Sequence, residues 1–209
     1  MPRQDRAERT RNAILDAAAA VFDERGFSGA SLSEILAKAG VTKGALYFHF
    51  SSKEELASAL VSEQWSFEFP EASSYSSPLQ ALIDVSHVFG QNLCSNIRVS
   101  ASNRLVTEAN VSSPAPAVYE RWIEIVHELI VAAQEAGDIR KEWDPMTIAT
   151  WLTGAFLGVQ TMSGVLTNRA DLRDRIADMW RISLPGLAAP RRLSRFVAAG
   201  TVQWDTSAA

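Results

Sequence analysis

The chain has 209 residues, 47% of them hydrophobic and 21% charged, with a formal net charge of −4. This is an ordinary globular balance that can fill a core, and no apolar run approaches the roughly 20 residues a membrane span needs. A single cysteine, Cys94, excludes an intrachain disulfide and a cysteine-built zinc site, and the opening Met-Pro-Arg-Gln-Asp-Arg has no hydrophobic signal core behind it, so a cytoplasmic protein is expected.

The net acidity argues against a nucleic-acid partner, whose binding domain is usually basic. The distribution weakens that objection. Residues 1–53 carry eight Lys/Arg against six Asp/Glu, a net +2, and residues 54–209 carry twelve against eighteen, a net −6. The surplus acid lies outside the first segment.

Taken in order, the first periodic segment covers residues 6–25, with Ile14, Leu15, Ala18 and Phe22 on one helical face and Gly26 at its end. Ser31-Leu-Ser-Glu34 is a capping box that opens a short helix over 32–39, with Leu32, Ile35 and Leu36 turned inward. Gly40 supplies a tight turn and Val41 an anchor, and Thr42 caps a second short helix over 43–49. Ser52 to Glu55, or the near-equivalent Ser51 to Glu54, starts a longer helix over 52–67. A proline-bounded polar loop covers 70–78. Further helices are expected over 78–93, 97–109 and 115–136. Asp144-Pro145 reads as an N-cap followed by proline at the first helical position, opening a helix over 145–167. Asp171 begins the last helix, which ends at Pro185-Gly186, and residues 187–209 are expected to be loosely held. Nothing alternates with period two, so the fold class is all-α, with no internal repeat.

Two short helices joined by a glycine turn behind a longer one match the helix-turn-helix plan. The second helix opens with Thr42, Lys43, Gly44 and Ala45. Lys43 can meet a phosphate or a guanine edge, and Thr42 can bond phosphate through hydroxyl or backbone amide. Gly44 and Ala45 keep the helix end slim, so backbone can approach a duplex. Tyr47 and His49 lie one turn on, within reach of phosphate, and Lys53 at the next helix start can touch backbone too. Phe48 and Phe50 read as core residues; Tyr47 is assigned to DNA because its hydroxyl suits phosphate, while His49 either binds DNA or packs. Arg3, Arg6, Arg9 and Arg11 form either an arm on phosphates or an ordinary solvated helix start, since Asp5 and Glu8 interleave.

The run Thr42-Lys43-Gly44-Ala45-Leu46-Tyr47-Phe48-His49-Phe50, followed by Lys53-Glu54-Glu55-Leu56, resembles the signature of the TetR family of repressors. The likeness covers roughly residues 10–56. It implies a three-helix DNA-binding head on residues 1–52, a larger helical ligand-binding and dimerisation domain on 53–186 whose last two long helices form the dimer interface, and a tail on 187–209. It further implies a homodimer on a double-stranded, palindromic operator. Tyr119-Glu-Arg-Trp122 and Ala177-Asp-Met-Trp180, with the Val41 to Phe50 run, are similar to the γ-butyrolactone autoregulator receptors of actinomycetes. That implies release from DNA by a small apolar signal, a lactone or butenolide.

Within this resemblance Trp122 is the pocket candidate among six tryptophans, the others reading as core. Gln64 and Thr161 sit on otherwise apolar faces and can supply the few polar groups such a cavity needs, against the reading of each as a satisfied buried polar group. Val126, Ile130, Leu157 and Phe156 line the walls or serve the core. Gly154 and Gly158 at i, i+4 suit close helix packing. No nucleophile elbow, phosphate loop or paired metal histidines occur, so no catalysis, cofactor or metal is expected. Two other functions fit the same chain: a TetR-type regulator of an efflux gene induced by an unrelated hydrophobic compound, and a helical enzyme or lipid carrier.

Overall fold

The computed structural model describes residues 3–63, 77–108 and 115–204. Among them are nine α-helices: α1 (Arg3–Gly29), α2 (Leu32–Ala39), α3 (Lys43–His49), α4 (Lys53–Glu63), α5 (Pro78–Ser95), α6 (Ile97–Thr107), α7 (Ala115–Glu135), α8 (Pro145–Thr167) and α9 (Leu172–Leu187). No strand occurs among the described residues beyond an isolated bridge between Ile139 and Ala188. The all-α expectation holds. The helices fall into two compact units, the first built on α1–α4 and α6, the second on α5, α7 from Tyr119 onward, α8, α9 and the C-terminal segment.

In the first unit, Ile14, Leu15, Ala18, Ala19 and Phe22 of α1 are fully buried, with Ile35, Leu46, Leu56 and Leu60 from α2, α3 and α4. Burying each Leu, Ile or Phe side chain contributes about 1.5–3 kcal/mol, so this small core is what fixes three short helices that would not persist alone. Ser31 caps α2 by accepting the Glu34 N–H, while Glu34 reaches back to the Ser31 N–H at 3.1 Å, the expected capping box. Gly40 ends α2 at φ 64°, a left-handed angle that a side chain disfavours. Thr42 caps α3 by accepting the Ala45 N–H at 3.2 Å. At α4 the box is split: Ser52 Oγ accepts the Glu55 N–H, and the Glu55 carboxylate takes the N–H of Ser51 rather than Ser52.

Gly26 does not end α1 outright. It kinks it, with φ 70° and ψ 176°, and the helix resumes to Gly29. Side chains from two other helices secure the kink. Glu108, just past α6, accepts the Phe27 N–H at 2.8 Å, its carboxylate lying where a Cβ on residue 26 would collide. Arg104 of α6 donates to the Asp23 carbonyl and pairs with Glu108 at 2.7 Å. From the start of α4, Lys53 Nζ donates to the carbonyls of Phe27 and Ala30 at 2.8 and 2.9 Å. Further along, Arg98 pairs with Asp16, and Ser100 Oγ donates to Asp23. α6 is thus part of the first compact unit, although the sequence division into functional segments places it in 53–186.

In the second unit, α8 begins as expected at Pro145 behind Asp144, which accepts the Thr147 N–H at 2.8 Å. Asp171 accepts from Ser163, Thr167 and Arg175. These donors hold its carboxyl down at a pKa of about 2 and tie the end of α8 to the start of α9. α9 runs one residue past the expected stop, to Leu187, with Pro185 inside its last turn. A proline there removes one hydrogen bond near a helix end where carbonyls already lack partners, and the Pro185 and Ala188 carbonyls accept from Arg140 instead.

The expectation of a loosely held tail fails for its described residues. Gln80 accepts the Val197 N–H at 2.9 Å and donates to Asp84. Asp84 accepts both the N–H and the hydroxyl of Thr201, and His87 Nε2 lies 3.0 Å from the Ala198 carbonyl. Gly200 takes φ 74° against the His87 ring, and Trp204 covers Gly90. Gln80, Asp84 and His87 are almost wholly buried. A polar face of α5 is therefore dedicated to the C-terminal segment, and its backbone hydrogen bonds go there rather than to water.

Candidate functional sites

The first candidate site is the outer face of α3. Thr42, Lys43 and Gly44 are exposed, Ala45 is half-buried, and Leu46 and Phe50 fill the core behind them. Among the described residues a Cβ placed on Gly44 meets nothing beyond the helix's own backbone within 4 Å, so backbone is presented openly there. Tyr47 is 47% exposed, and Lys43 Nζ sits 5.7 Å from its ring centroid. Thr42 Oγ1 uses a lone pair on the Ala45 N–H, which leaves its own proton free to donate to a phosphate. His49 is half-buried, edge-on to Phe48 at 5.0 Å and tilted against Phe50 at 6.4 Å. Lys53 uses two of its three donors on the Phe27 and Ala30 carbonyls and lies 4.4 Å from the Phe27 ring centroid, so one N–H is left for another partner. Arg11 lies over the Phe50 ring at 5.3 Å, and Arg3 to Arg11 belong to α1 rather than to an extended arm.

One aromatic residue stands where the sequence did not place it. Phe50 is core as expected, at 3% exposure, but Phe48 is 78% exposed. The signal was in the spacing: Leu46 and Phe50 are one turn apart and face inward together, and residue 48 falls about 200° round the helix from residue 46.

The second candidate site lies in the second unit. Trp122 of α7 is half-buried and packs edge-on against Phe89 of α5, ring centroids 4.7 Å apart. Phe89 in turn meets Phe156 of α8 at 5.8 Å. Trp122 and Phe156 are thus brought together through Phe89, a residue the sequence reading missed. Val126 and Leu157 are half-buried, and Ile130 is fully buried. Thr161 is exposed and accepts from Gln160 Nε2 at 3.1 Å; the buried amide on this turn is Gln160. Gln64 lies outside the described residues. Burial also pushes the Tyr119 phenol upward.

Thr161 lies with Trp151, Gly154, Gly158, Met162 and Val165 on one exposed stripe of α8, and Ile182 of α9 is as exposed as Val165, at 79%. Among the described residues, nothing beyond the helix's own backbone comes within 4 Å of a Cβ placed on Gly154 or Gly158, so their expected close packing is not made among those residues.

Residues 14–60 match the family of bacterial regulatory proteins called tetR, and residues 75–189 match the tetracyclin repressor-like C-terminal domain. The chain belongs to the TetR family. It is 41% identical over 203 residues to the A-factor receptor protein of Streptomyces griseus, covering 97% of this chain and 72% of that one. Its fold is similar to that of a γ-butyrolactone receptor described as ArpA-like (TM-score 0.76, 32% identity, 93% of this chain and 95% of the other). It is also similar to CprB of Streptomyces coelicolor, solved with its biological operator sequence (TM-score 0.80, 31% identity, 95% and 100%). This TetR-family chain is a DNA-binding transcriptional repressor, not an enzyme, and regulators of the family bind operator DNA as dimers. Among the described residues no helix is long and apolar enough to cross a membrane.

Proposed function

We propose that this TetR-family repressor binds a palindromic operator as a homodimer in the cytoplasm and is released by a small signalling molecule, a γ-butyrolactone or a butenolide. The observation that carries the ligand assignment is likeness over 97% of the chain to the A-factor receptor, supported by the Phe89–Trp122–Phe156 aromatic cluster, which suits the apolar body of such a molecule. Trp122, Phe89, Val126 and Leu157 form the wall, with Ile130 behind them. Gln160, buried on α8, is a better candidate for a polar contact than the exposed Thr161, whose stripe on α8 suits the partner subunit.

Thr42, Lys43, Gly44, Ala45, Tyr47 and His49 meet the duplex, with Lys53 adding one N–H. The two recognition helices enter successive major grooves about 34 Å apart. A ligand that favours a conformation with another spacing shifts the dimer off the operator without touching DNA. Coupling of about 1–3 kcal/mol weakens operator binding roughly 5- to 150-fold. A gel-shift titration with a synthetic alkyl-substituted γ-butyrolactone tests this: release is expected, and unchanged operator affinity across the titration, and likewise with a butenolide, removes the proposed inducer.

A further inference from the structure

We infer that Phe48 reads a thymine methyl group in the major groove and sets part of the operator sequence. The inference deepens the DNA-binding reading of α3 and rests on it.

Phe48 stands out in its unit. Tyr47, Phe48 and Ile97 are its exposed large hydrophobic residues among those described, and at 78% Phe48 is well beyond the other two, at 47% and 42%. Leaving a phenylalanine in water forgoes the favourable free energy of burying its ring. Its ring contact is the edge of His49, a neighbour on the same helix.

The surroundings fit a duplex rather than an apolar protein partner. Phe48 is one turn past Gly44, on the same stripe of α3, and the space above Gly44 is open. Phe48 thus shares its face of α3 with the slim N-terminal end of the helix, the end that meets base edges in this class of motif, and no side chain of the described residues fills the space over Gly44 between them. Lys43 lies beside this stripe, its ammonium 5.7 Å from the Tyr47 ring, and no carboxylate occurs on α3. A cation next to an exposed aromatic complements a polyanion that also carries apolar groups. The major groove offers one apolar group, the thymine C5-methyl, and phenylalanine is among the residues that contact it.

The test uses the full-length dimer and a duplex it selects from a randomised library at low ionic strength, without inducer. Each thymine in that duplex is replaced singly, and then in symmetric pairs, by deoxyuridine, which removes the methyl and keeps the base pair and charge. For the wild type, one thymine per half-site is expected to matter, with loss of its methyl weakening binding about fourfold. Phe48→Ala, a change at an exposed position, is expected to bind more weakly, to be indifferent to that methyl, and to keep the wild-type salt slope. Phe48→Leu should restore part of the methyl dependence. Three results overturn the inference: no methyl-dependent thymine in the wild type, equal methyl dependence in Phe48→Ala, or a flattened salt slope in Phe48→Ala, which would place the ring on the phosphate path. If the wild type selects no duplex, the DNA-reading assignment itself falls, and this inference with it.

Discussion

Thr201 gives both its backbone N–H and its hydroxyl to the carboxylate of Asp84, at 2.7 and 2.6 Å, across 117 positions of sequence. Asp84 is fully buried, so these bonds form out of water, where an unmet partner is costly. Asp84→Ala is expected to lower unfolding free energy by about 3 kcal/mol, since it orphans the Thr201 N–H and takes one of two acceptors from the Gln80 amide, which keeps the Val197 carbonyl. Thr201→Val, which removes one donor, should cost about 1 kcal/mol. Urea unfolding checks both: the midpoint should move while the slope stays fixed.

Lys43 lies exposed beside Tyr47 with no carboxylate on its helix. If it neutralises a phosphate in each half-site, Lys43→Ala should reduce the slope of log K against log salt by about 1.8 for the dimer, and weaken binding about 30-fold at 0.15 M salt. Fluorescence anisotropy over a salt series measures this. An unchanged slope would mean that α3 approaches the duplex in another orientation.

Trp122 is half-buried against Phe89, within the second unit. Trp122→Ala is expected to abolish release by the lactone probe while leaving inducer-free operator affinity at its wild-type value. Gel shifts with and without the probe decide it; loss of both properties together would make Trp122 a core residue and nothing more.

Asp171 accepts from Ser163, Thr167 and Arg175, which favours its ionised form down to a pKa of about 2. Because the folded value lies below the unfolded one, the stabilisation is complete above about pH 4 and is lost as the pH falls toward 2. The difference in thermal midpoint between wild type and Asp171→Asn should therefore be constant from pH 7 to about 4 and shrink below that.

What the sequence made legible was local. The Ser31–Glu34 box, the left-handed Gly40 and the Asp144-Pro145 start each act within one turn, so their residue types alone announce the geometry. The exposed face of α3 was legible for the same reason, apart from Phe48, whose hydrophobic character suggests the core while its helical phase points it outward. The tail was not legible, because its partners lie on α5: nothing near Val197 or Thr201 in the chain says that Gln80 and Asp84 await them. A clue did exist in α5, where Gln80, Asp84 and His87 put polar groups at one-turn spacing among apolar residues such as Leu79, Ile83 and Phe89. The aromatic cluster was half-legible: Trp122 and Phe156 stand out in the sequence, while Phe89, which joins them, carries no local mark of that role.

The kink at Gly26 bears on how the first unit would carry a displacement. Lys53 grips the carbonyls of the segment beyond the kink, and Glu108 grips its N–H, so α1, α4 and α6 meet at a single polar knot. A knot of this kind resists shear between the helices it joins. Within the first unit α6 is thereby tied to the segment beyond the kink and through it to α4, so a displacement imposed on α6 would be carried to them as a rigid shift instead of a local unwinding.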